Sequence, residues 1–393
     1  NGNQNAITDI GVGILMLCTG LEGAILNVKV NLKGLEQKDL SRKYYESCEE
    51  MLQEGKEIRD KLEFILVSNY DEIFDAIEKS KNLLLDGLKN SNIEILDFLW
   101  FGSDATYENV ERLKNNKKVN EADMIFAVGG GRSIDTNKVL SDKLNKPLFT
   151  FPTIASNCAP ITKISVMYNE DHTFKDYYFP KRSPLHCFIH TKIISEAPTK
   201  FIWAGIGDAL SKEFECTFSS KGDVLTHSNL LGVSIAKNCC EPLLKYGQKA
   251  FNDAKENRVS KELEEVILNI IITTGLVSVL VDPDYNSCLA HSIYYGYTTI
   301  HEIEKNHLHG EVVSYGVLVM LTCIKDYKNR DKIYKFNKSI GLPTRLKDIE
   351  VKDCDIPKIL DKAIKTEDIK HVPYELTKDM IYNAILNLEK LSS

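Results

Sequence analysis

The fold of this chain is decided by one stretch of sequence, Val128-Gly129-Gly130-Gly131-Arg132-Ser133-Ile134-Asp135. The stretch follows a short apolar run at 124–128 and opens a segment with helical periodicity at 133–144. Three glycines allow positive φ angles and a close approach of the backbone to a ligand. Because the N-terminus of the following helix offers free N–H groups, the stretch is suited to a phosphate. A tight turn beneath a helix is the alternative interpretation.

Short apolar runs alternate with helical stretches on both sides of this loop. The pattern predicts strands at 64–67, 93–101, 124–128 and 147–151, with helices at 71–89, 105–120 and 133–144. This alternation is typical of a doubly wound parallel sheet. Such sheets bind their ligands beyond the carboxyl ends of the strands, where the glycine loop is predicted to lie.

The remaining sequence is helical by pattern. Residues 1–62 predict two helices, at 10–32 and 39–62, and residues from 198 onward are almost entirely helical in periodicity. We therefore predict an α/β protein with three parts: a helical segment at 1–62, a dinucleotide-binding α/β domain at 63–197, and an all-helical domain at 198–393.

Composition limits the possible partners of the chain. The 393 residues carry a formal net charge of −7, which argues against a nucleic-acid partner. The 10 cysteines contain no CxxC pair, which is typical of a reduced, cytoplasmic protein and argues against a cysteine zinc site. The most apolar run, residues 11–21, is too short to cross a membrane. We expect a cytoplasmic homo-oligomer with a small-molecule substrate.

Three residues in the helical part combine into a candidate metal site. Asp208 follows Gly205 and Gly207 at the start of an apolar stretch, His291 lies on an apolar helical stretch, and His309 begins another. Taken singly, Asp208 is an N-cap candidate, and the histidines are ordinary core, cap or surface residues. Together, one carboxylate and two imidazoles leave coordination positions open for a substrate oxygen, as a catalytic metal requires.

These motifs, in this order, resemble the iron-containing alcohol dehydrogenase superfamily and its glycerol dehydrogenase branch. The motifs that carry the resemblance are Gly129-Gly130-Gly131 with Asp135 and Lys138, Pro152-Thr153-Ile154-Ala155-Ser156, Ile164-Ser165-Val166-Met167-Tyr168, Ala204-Gly205-Ile206-Gly207-Asp208-Ala209-Leu210, Ala290-His291 and His309-Gly310-Glu311. The resemblance spans about 63–391 and implies the dehydroquinate synthase-like fold.

The resemblance also implies a set of site residues. Asp208, His291 and His309 are the expected ligands of zinc or iron. The three glycines of the loop are expected to hold the pyrophosphate of NAD or NADP. The further expected cofactor contacts are Asp135, Thr153, Ser156 and Ser165. The implied reaction is hydride transfer between the nicotinamide and an alcohol carbon, with the metal acting on the substrate oxygen.

Two positions depart from the glycerol dehydrogenase pattern and are the expected substrate contacts. Cys158 replaces an Asp that is taken as a glycerol contact, and Tyr294 replaces a second His. The Cys158 change, together with the sequence around His371, resembles the hydroxycarboxylate dehydrogenases, which reduce 2-oxo acids. Asn69, at the end of the first predicted strand, is neutral, so NADP stays open beside NAD.

Other functions are also open at this point. The front segment, about 1–62, resembles the C-terminal part of formimidoyltetrahydrofolate cyclodeaminase, so folate-linked deamination is one alternative. A dehydroquinate synthase-like lyase or a glycerol-1-phosphate dehydrogenase is another, although few basic residues lie near the glycine loop, with Arg132 and Lys163 the main exceptions. Cys158 and Tyr294 also leave open a non-catalytic binding protein.

Overall fold

A computed structural model describes residues 46–47, 95–102, 104–300 and 306–391 of the chain. The predicted helices of the front segment, apart from the helical residues 46–47, lie outside the described residues. The predicted strand at 64–67 and the predicted helix at 71–89 also lie outside them. The chain divides into two compact units, which are described separately. The first has its described residues up to Thr153 and from Lys163 to Ile193, and the second has Ile154–Thr162 and the residues from Ile194 onward.

The first unit contains a parallel sheet and an antiparallel hairpin. Its elements are α1 Tyr107–Lys114, α2 Lys117–Glu121, β1 Ile125–Gly129, α3 Gly131–Leu144, β2 Leu148–Pro152, β3 Ser165–Tyr168, β4 Phe174–Tyr178 and β5 His186–Cys187, followed by α4 Thr191–Glu196. Among the described residues, β1, β2 and β5 pair in parallel in that order, whereas β3 and β4 pair antiparallel. The predicted parallel α/β fold is confirmed.

The sheet and α3 bury a shared apolar layer. Ile134, Val139 and Leu140 of α3 are buried, as are alternate residues of β1. Aromatic rings from neighbouring strands also pack together, with Phe151 stacked on Phe188 at 4.8 Å between ring centroids. Because one face of the helix and one face of the strands are apolar, burying them together fixes the strand–loop–helix unit that carries the glycines.

Two of the predicted elements are wrong in detail. Residues 95–101 form no strand, and the Asp97 carboxylate instead accepts a hydrogen bond from the backbone N–H of Phe98. The helix predicted at 105–120 is broken into α1 and α2, because the Asn116 side chain accepts from the N–H groups of Lys118 and Val119 and starts a new helix. The strands predicted near 124–128 and 147–151, and the helix between them, are confirmed.

The second unit is helical throughout its described residues, as predicted. Its helices are α5 Lys200–Ser219, α6 His227–Ala236, α7 Cys240–Lys255, α8 Lys261–Leu268, α9 Thr274–Leu280, α10 Leu289–Tyr297, α11 His309–Cys323, α12 Tyr327–Ile340, α13 Ile356–Ala363 and α14 Lys378–Leu391. Helix α11 is central, because every residue after His309 in it is buried. Both α5 and α10 pack against α11, so the three helices that carry the predicted metal ligands meet in one core.

One helical run passes the length and composition test for a membrane span. The run Lys261–Leu280 comprises α8, a π-helical turn and α9, and half of its most apolar window is buried inside the unit. Length and apolar composition describe the core helix of a globular unit equally well.

The domain boundaries at 62 and 197 stay predictions.

Candidate active site

Asp208 lies in the interior of α5 and not at its start. The residue before the first helical position is Thr199, so the N-cap alternative for Asp208 is wrong. The Asp208 side chain is only 16% exposed and points toward two histidines on other helices. An interior helical position fixes the direction of the carboxylate, which a flexible cap position would not.

The two histidines converge on this carboxylate. The Nε2 atom of His309 lies 3.2 Å from Oδ1 of Asp208, and Nε2 of His291 lies 3.5 Å from the same oxygen. One ligand atom from each of the three residues falls within 4.8 Å of the others. The His309 side chain is 38% exposed whereas that of His291 is 11% exposed, so the cluster is open on the side of His309.

Glycines beside the ligands allow the helices to approach this closely. A Cβ atom on Gly207 would lie 2.3 Å from the carbonyl oxygen of Gly310, and a Cβ on Gly310 would lie 1.9 Å from that of Ala204. Real side chains do not tolerate such distances, so α5 and α11 are in backbone contact at the residues next to Asp208 and His309. The glycines of the predicted motifs therefore set the spacing of the candidate metal ligands Asp208 and His309.

The third helix is held in the same manner. A Cβ on Gly316 of α11 would lie 2.5 Å from the carbonyl oxygen of Ala290, the residue before His291. One turn before Asp208, a Cβ on Gly205 would lie 2.1 Å from the carbonyl oxygen of Ala155. The segment 154–162, which belongs to this unit, is thus packed on α5 one turn before the ligand.

Glu215 is a polar partner of the cluster that the sequence analysis did not identify. Its carboxylate is fully buried and accepts from Nδ1 of His291 at 2.6 Å. Glu215 follows Asp208 by two helical turns on α5, so the two side chains lie on the same face of that helix. That spacing was the available signal, but it identifies no partner without knowledge of which helix packs on that face.

The cluster carries strongly perturbed proton affinities. Burial alone would raise the pKa of Asp208, but hydrogen bonds from His291 and His309 outweigh it and lower the pKa well below its usual range. Burial alone would lower the pKa of His291, yet the charge of Glu215 and the bond to Asp208 raise it to about 10. In the metal-free protein the His291 imidazole therefore binds a proton tightly. A cation that binds to this ring displaces that proton.

Both predicted substrate contacts lie in the helical unit. Tyr294 is partly exposed, and its ring meets that of His309 edge to face at 4.3 Å between centroids. Cys158 is partly exposed, with its Sγ atom 3.9 Å from Oγ of Ser278 on α9. Tyr294 therefore borders the open side of the cluster, and its substrate role stays a prediction, as does that of Cys158.

The glycine loop of the first unit has the geometry of an anion site. Gly129 ends β1 with φ of +139°, which side chains rarely adopt, and Gly130 precedes α3 without any side-chain cap. The hydroxyl of Ser133 is turned away, because it donates to the carbonyl oxygen of Val128. The first-turn N–H groups of α3 are thus left to a ligand rather than to a side-chain cap.

Asp135, in the helix that follows this loop, joins α3 to β3. Its carboxylate lies 2.7 Å from Nζ of the equally buried Lys138, and it accepts from the N–H of Val166 at 3.2 Å. Lys138 also donates to the carbonyl oxygen of Ile164. Burial raises the pKa of Asp135 against the opposing effect of Lys138. These contacts support a structural role for Asp135, and direct cofactor contact by it stays a prediction.

The other predicted cofactor residues are placed as follows. Thr153 is buried after β2, and its N–H donates to the carbonyl oxygen of Gly129, so it holds the loop. Ser165 is fully buried on β3, and its hydroxyl lacks a hydrogen-bond partner among the described residues. Ser156 is partly exposed in the segment that packs on α5. The cofactor roles of all three stay predictions.

The residues present fit the expected metal. A carboxylate oxygen and two imidazole nitrogens are donors that zinc and ferrous iron both accept. Two carboxylates, that of the largely buried Asp208 and that of the fully buried Glu215, face two imidazoles, so a divalent cation would neutralise a site whose charge is otherwise met by protons. Among the described residues this is the one group of three such side chains with converging ligand atoms.

Comparison with known proteins agrees with this fold. Residues 56–191 match the family Iron-containing alcohol dehydrogenase, and residues 1–50 match Formiminotransferase-cyclodeaminase. The chain is 35% identical to a glycerol dehydrogenase of Thermotoga maritima, over 72% of this chain and 79% of that protein. It is 29% identical to hydroxycarboxylate dehydrogenase A of Escherichia coli K12, over 69% of this chain and 76% of that protein.

A solved structure gives the same result for the fold. The crystal structure of a probable glycerol dehydrogenase from Sinorhizobium meliloti aligns with a TM-score of 0.69 and 27% identity, covering 78% of this chain and 88% of that one. The fold and the site thus define a metal- and NAD-dependent enzyme that acts on the CH–OH group of an alcohol. The chain belongs to the iron-containing alcohol dehydrogenase superfamily, in its glycerol dehydrogenase branch.

Proposed function

We propose that this enzyme interconverts a small vicinal polyol, of which glycerol is the simplest candidate, and the corresponding ketone. The observation that carries the proposal is the convergence of Asp208, His291 and His309 into a cluster that is open on one side. The open side leaves room for a substrate that chelates the metal through two adjacent oxygens. The names of the relatives support the same substrate class.

The residues of the chain divide the work of this reaction. Bound zinc or iron supplies Lewis-acid chemistry to the substrate oxygen, and the nicotinamide supplies the hydride acceptor. Asp208, His291 and His309 hold the metal. The backbone of the glycine loop binds the pyrophosphate, and Thr153 braces that loop through Gly129. Tyr294, partly exposed beside His309, offers a phenol oxygen that relays the proton of the alcohol to water.

A second candidate function is reduction of a 2-oxo acid, and Cys158 favours it. An acid at this position would repel the carboxylate of an oxo acid, whereas Cys158 places no carboxylate there. We therefore expect Cys158→Asp to shift specificity toward the diol, with the ratio of kcat/KM for diol over oxo acid rising about 10-fold or more. Cys158→Ser is the matched control, since it adds no charge and leaves the ratio within about twofold. An unchanged ratio in Cys158→Asp would contradict the assignment of Cys158 to the substrate.

Cellular location and assembly are parts of the same proposal. The cysteines that the structure describes are all free thiols, which supports a reducing compartment and thus the predicted cytoplasmic location. The homo-oligomer stays a prediction, which light scattering of the purified chain would check.

The test is a nicotinamide absorbance assay on zinc- or iron-reconstituted protein. Glycerol and 1,2-propanediol would be supplied with NAD and NADP, and 2-oxoglutarate and 2-oxobutyrate with the reduced cofactors. We expect diol turnover that a chelator abolishes and that Asp208→Ala lowers about 10³-fold or more, because the metal contributes several kcal/mol to the transition state.

Control variants and outcomes make the assay decisive. Asp284→Ala removes an exposed carboxylate of the same unit and should leave turnover unchanged. Turnover of oxo acids alone would replace the polyol assignment with the second candidate. Absence of turnover with all four substrates, in protein that binds metal and cofactor, would refute both.

A further inference from the structure

Glu215 contacts both the helix that carries His291 and the imidazole itself. Its Oε1 atom accepts from the backbone N–H groups of Cys288 at 2.8 Å and His291 at 3.0 Å, and its Oε2 atom accepts from Nδ1 of His291 at 2.6 Å. Cys288 is the N-cap of α10 and provides no capping bond of its own. A carboxylate on α5 thus caps α10 from outside.

The hydrogen bond at Nδ1 determines which nitrogen of His291 faces the cluster. An ionised carboxylate only accepts hydrogen bonds, so Nδ1 must carry the proton that it donates to Glu215. Once Nε2 has lost its own proton, the lone pair of the ring is on that atom, which is directed toward Asp208 at 3.5 Å. A metal ligand needs this lone pair, and an outer carboxylate that fixes the tautomer raises the basicity of the imidazole.

We propose that Glu215 is a positioning residue of the metal centre, which selects the Nε2-ligating form of His291 and holds it in register with Asp208. This inference rests on the proposed function only in that it takes Asp208, His291 and His309 as the metal ligands. Because Glu215 and Asp208 are on one helix, movement of α5 carries the ligand and the orienting group together. Full burial of Glu215 keeps water from replacing it as the acceptor.

Glu215→Gln separates the two contacts of the carboxylate. The amide oxygen still accepts from the two N–H groups of α10, so the cap is preserved. The amide nitrogen then faces Nδ1 and can only donate, which forces Nδ1 to accept and places the ring proton on Nε2. A metal at Nε2 would displace that proton and leave Nδ1 to carry one against the amide N–H, so we expect zinc affinity to fall about 10- to 100-fold.

Glu213 offers a matched control on the same helix. Its carboxylate is partly buried and accepts from the N–H of Cys240, so it caps α7 as Glu215 caps α10, but it bonds to no histidine in the described part of the chain. Glu213→Gln should leave zinc affinity within about twofold of the unsubstituted protein. A merely structural role for Glu215 would lower the melting temperature of the metal-free protein and leave the affinity of the folded fraction unchanged.

The experiment is zinc titration of the full chain against a chromogenic chelator, with circular dichroism of each metal-free variant. Weaker binding by folded Glu215→Gln, beside normal binding by Glu213→Gln, supports the proposal, and equal binding by the two variants overturns it. Failure of the unsubstituted protein to bind zinc would instead count against the proposed function.

A second measurement keeps the proposal testable if Glu215→Gln does not fold. Long-range ¹⁵N NMR of histidine-labelled, zinc-loaded protein reports which ring nitrogen of His291 carries the proton, with the signal assigned by its loss in His291→Asn. A proton on Nδ1 and zinc at Nε2 agree with the proposal. A proton on Nε2 would overturn it.

Discussion

The sheet-containing unit and the helical unit both bury carboxylates, but their charges are neutralised differently. In the first, Asp135 is paired with Lys138 one helical turn away, and its carboxylate also accepts from the N–H of Val166 on β3. In the second, Asp208 and Glu215 face imidazoles that are neutral unless protonated. The Asp135–Lys138 ion pair is therefore neutral by itself, whereas the cluster is neutral only when protons or a cation are bound. The difference shows that an ion pair that neutralises itself serves as structural support. A charge cluster that needs a bound proton or cation for neutrality can instead serve as a binding site.

The largest expected effect comes from breaking the ion pair between Asp135 and Lys138. Lys138→Met leaves the Asp135 carboxylate buried without its cation and should lower the free energy of unfolding by about 3 kcal/mol or more. Urea denaturation of the chain checks this. The double variant Asp135→Asn with Lys138→Met should recover part of the loss, because no unpaired charge then remains. A loss below about 1 kcal/mol in the single variant would contradict the described pairing.

A smaller effect is expected from displacing a metal ligand without removing it. Gly310→Ala places a methyl group against the backbone of Ala204 and forces α11 away from α5 beside His309. A displacement on the order of 1 Å should lower kcat/KM about 10²-fold, with weaker zinc binding in parallel. Gly232→Ala also crowds a helix contact of this unit, against the side chain of Val281, and should lower stability while leaving zinc affinity unchanged. Equal effects of the two variants on zinc would refute the glycine argument.

The smallest effect is expected at the glycine loop. Gly129→Ala forces a side chain into a backbone conformation with φ of +139° and should cost about 1–2 kcal/mol. If the strain is relieved by a shift of the loop, NAD affinity falls by about 10-fold, which isothermal titration calorimetry measures. Zinc affinity should be unchanged, since the metal ligands lie in the other unit. A variant with unchanged stability and NAD affinity would show that the conformation of Gly129 is not required.

The sequence by itself determined the elements that depend on local pattern. Local pattern predicts β1 from the apolar run before Gly129, the loop from its glycines, and α3 from the helical periodicity that follows. Each of these elements depends on interactions between residues close in the chain. The same locality explains the error at 105–120, where one Asn side chain restarts a helix within an otherwise continuous apolar pattern.

Only the tertiary structure decided how the candidate metal centre is built. Asp208, His291 and His309 come from helices far apart in sequence, and their convergence depends on the backbone contacts at Gly207, Gly310 and Gly316. The sequence marks these glycines but does not say which carbonyl each one meets. Glu215 was not recognised at all, because a carboxylate two turns after another is ordinary on a helix. Its role follows from the packing of α10 on that face, and packing between distant segments leaves no periodic signal in a single sequence.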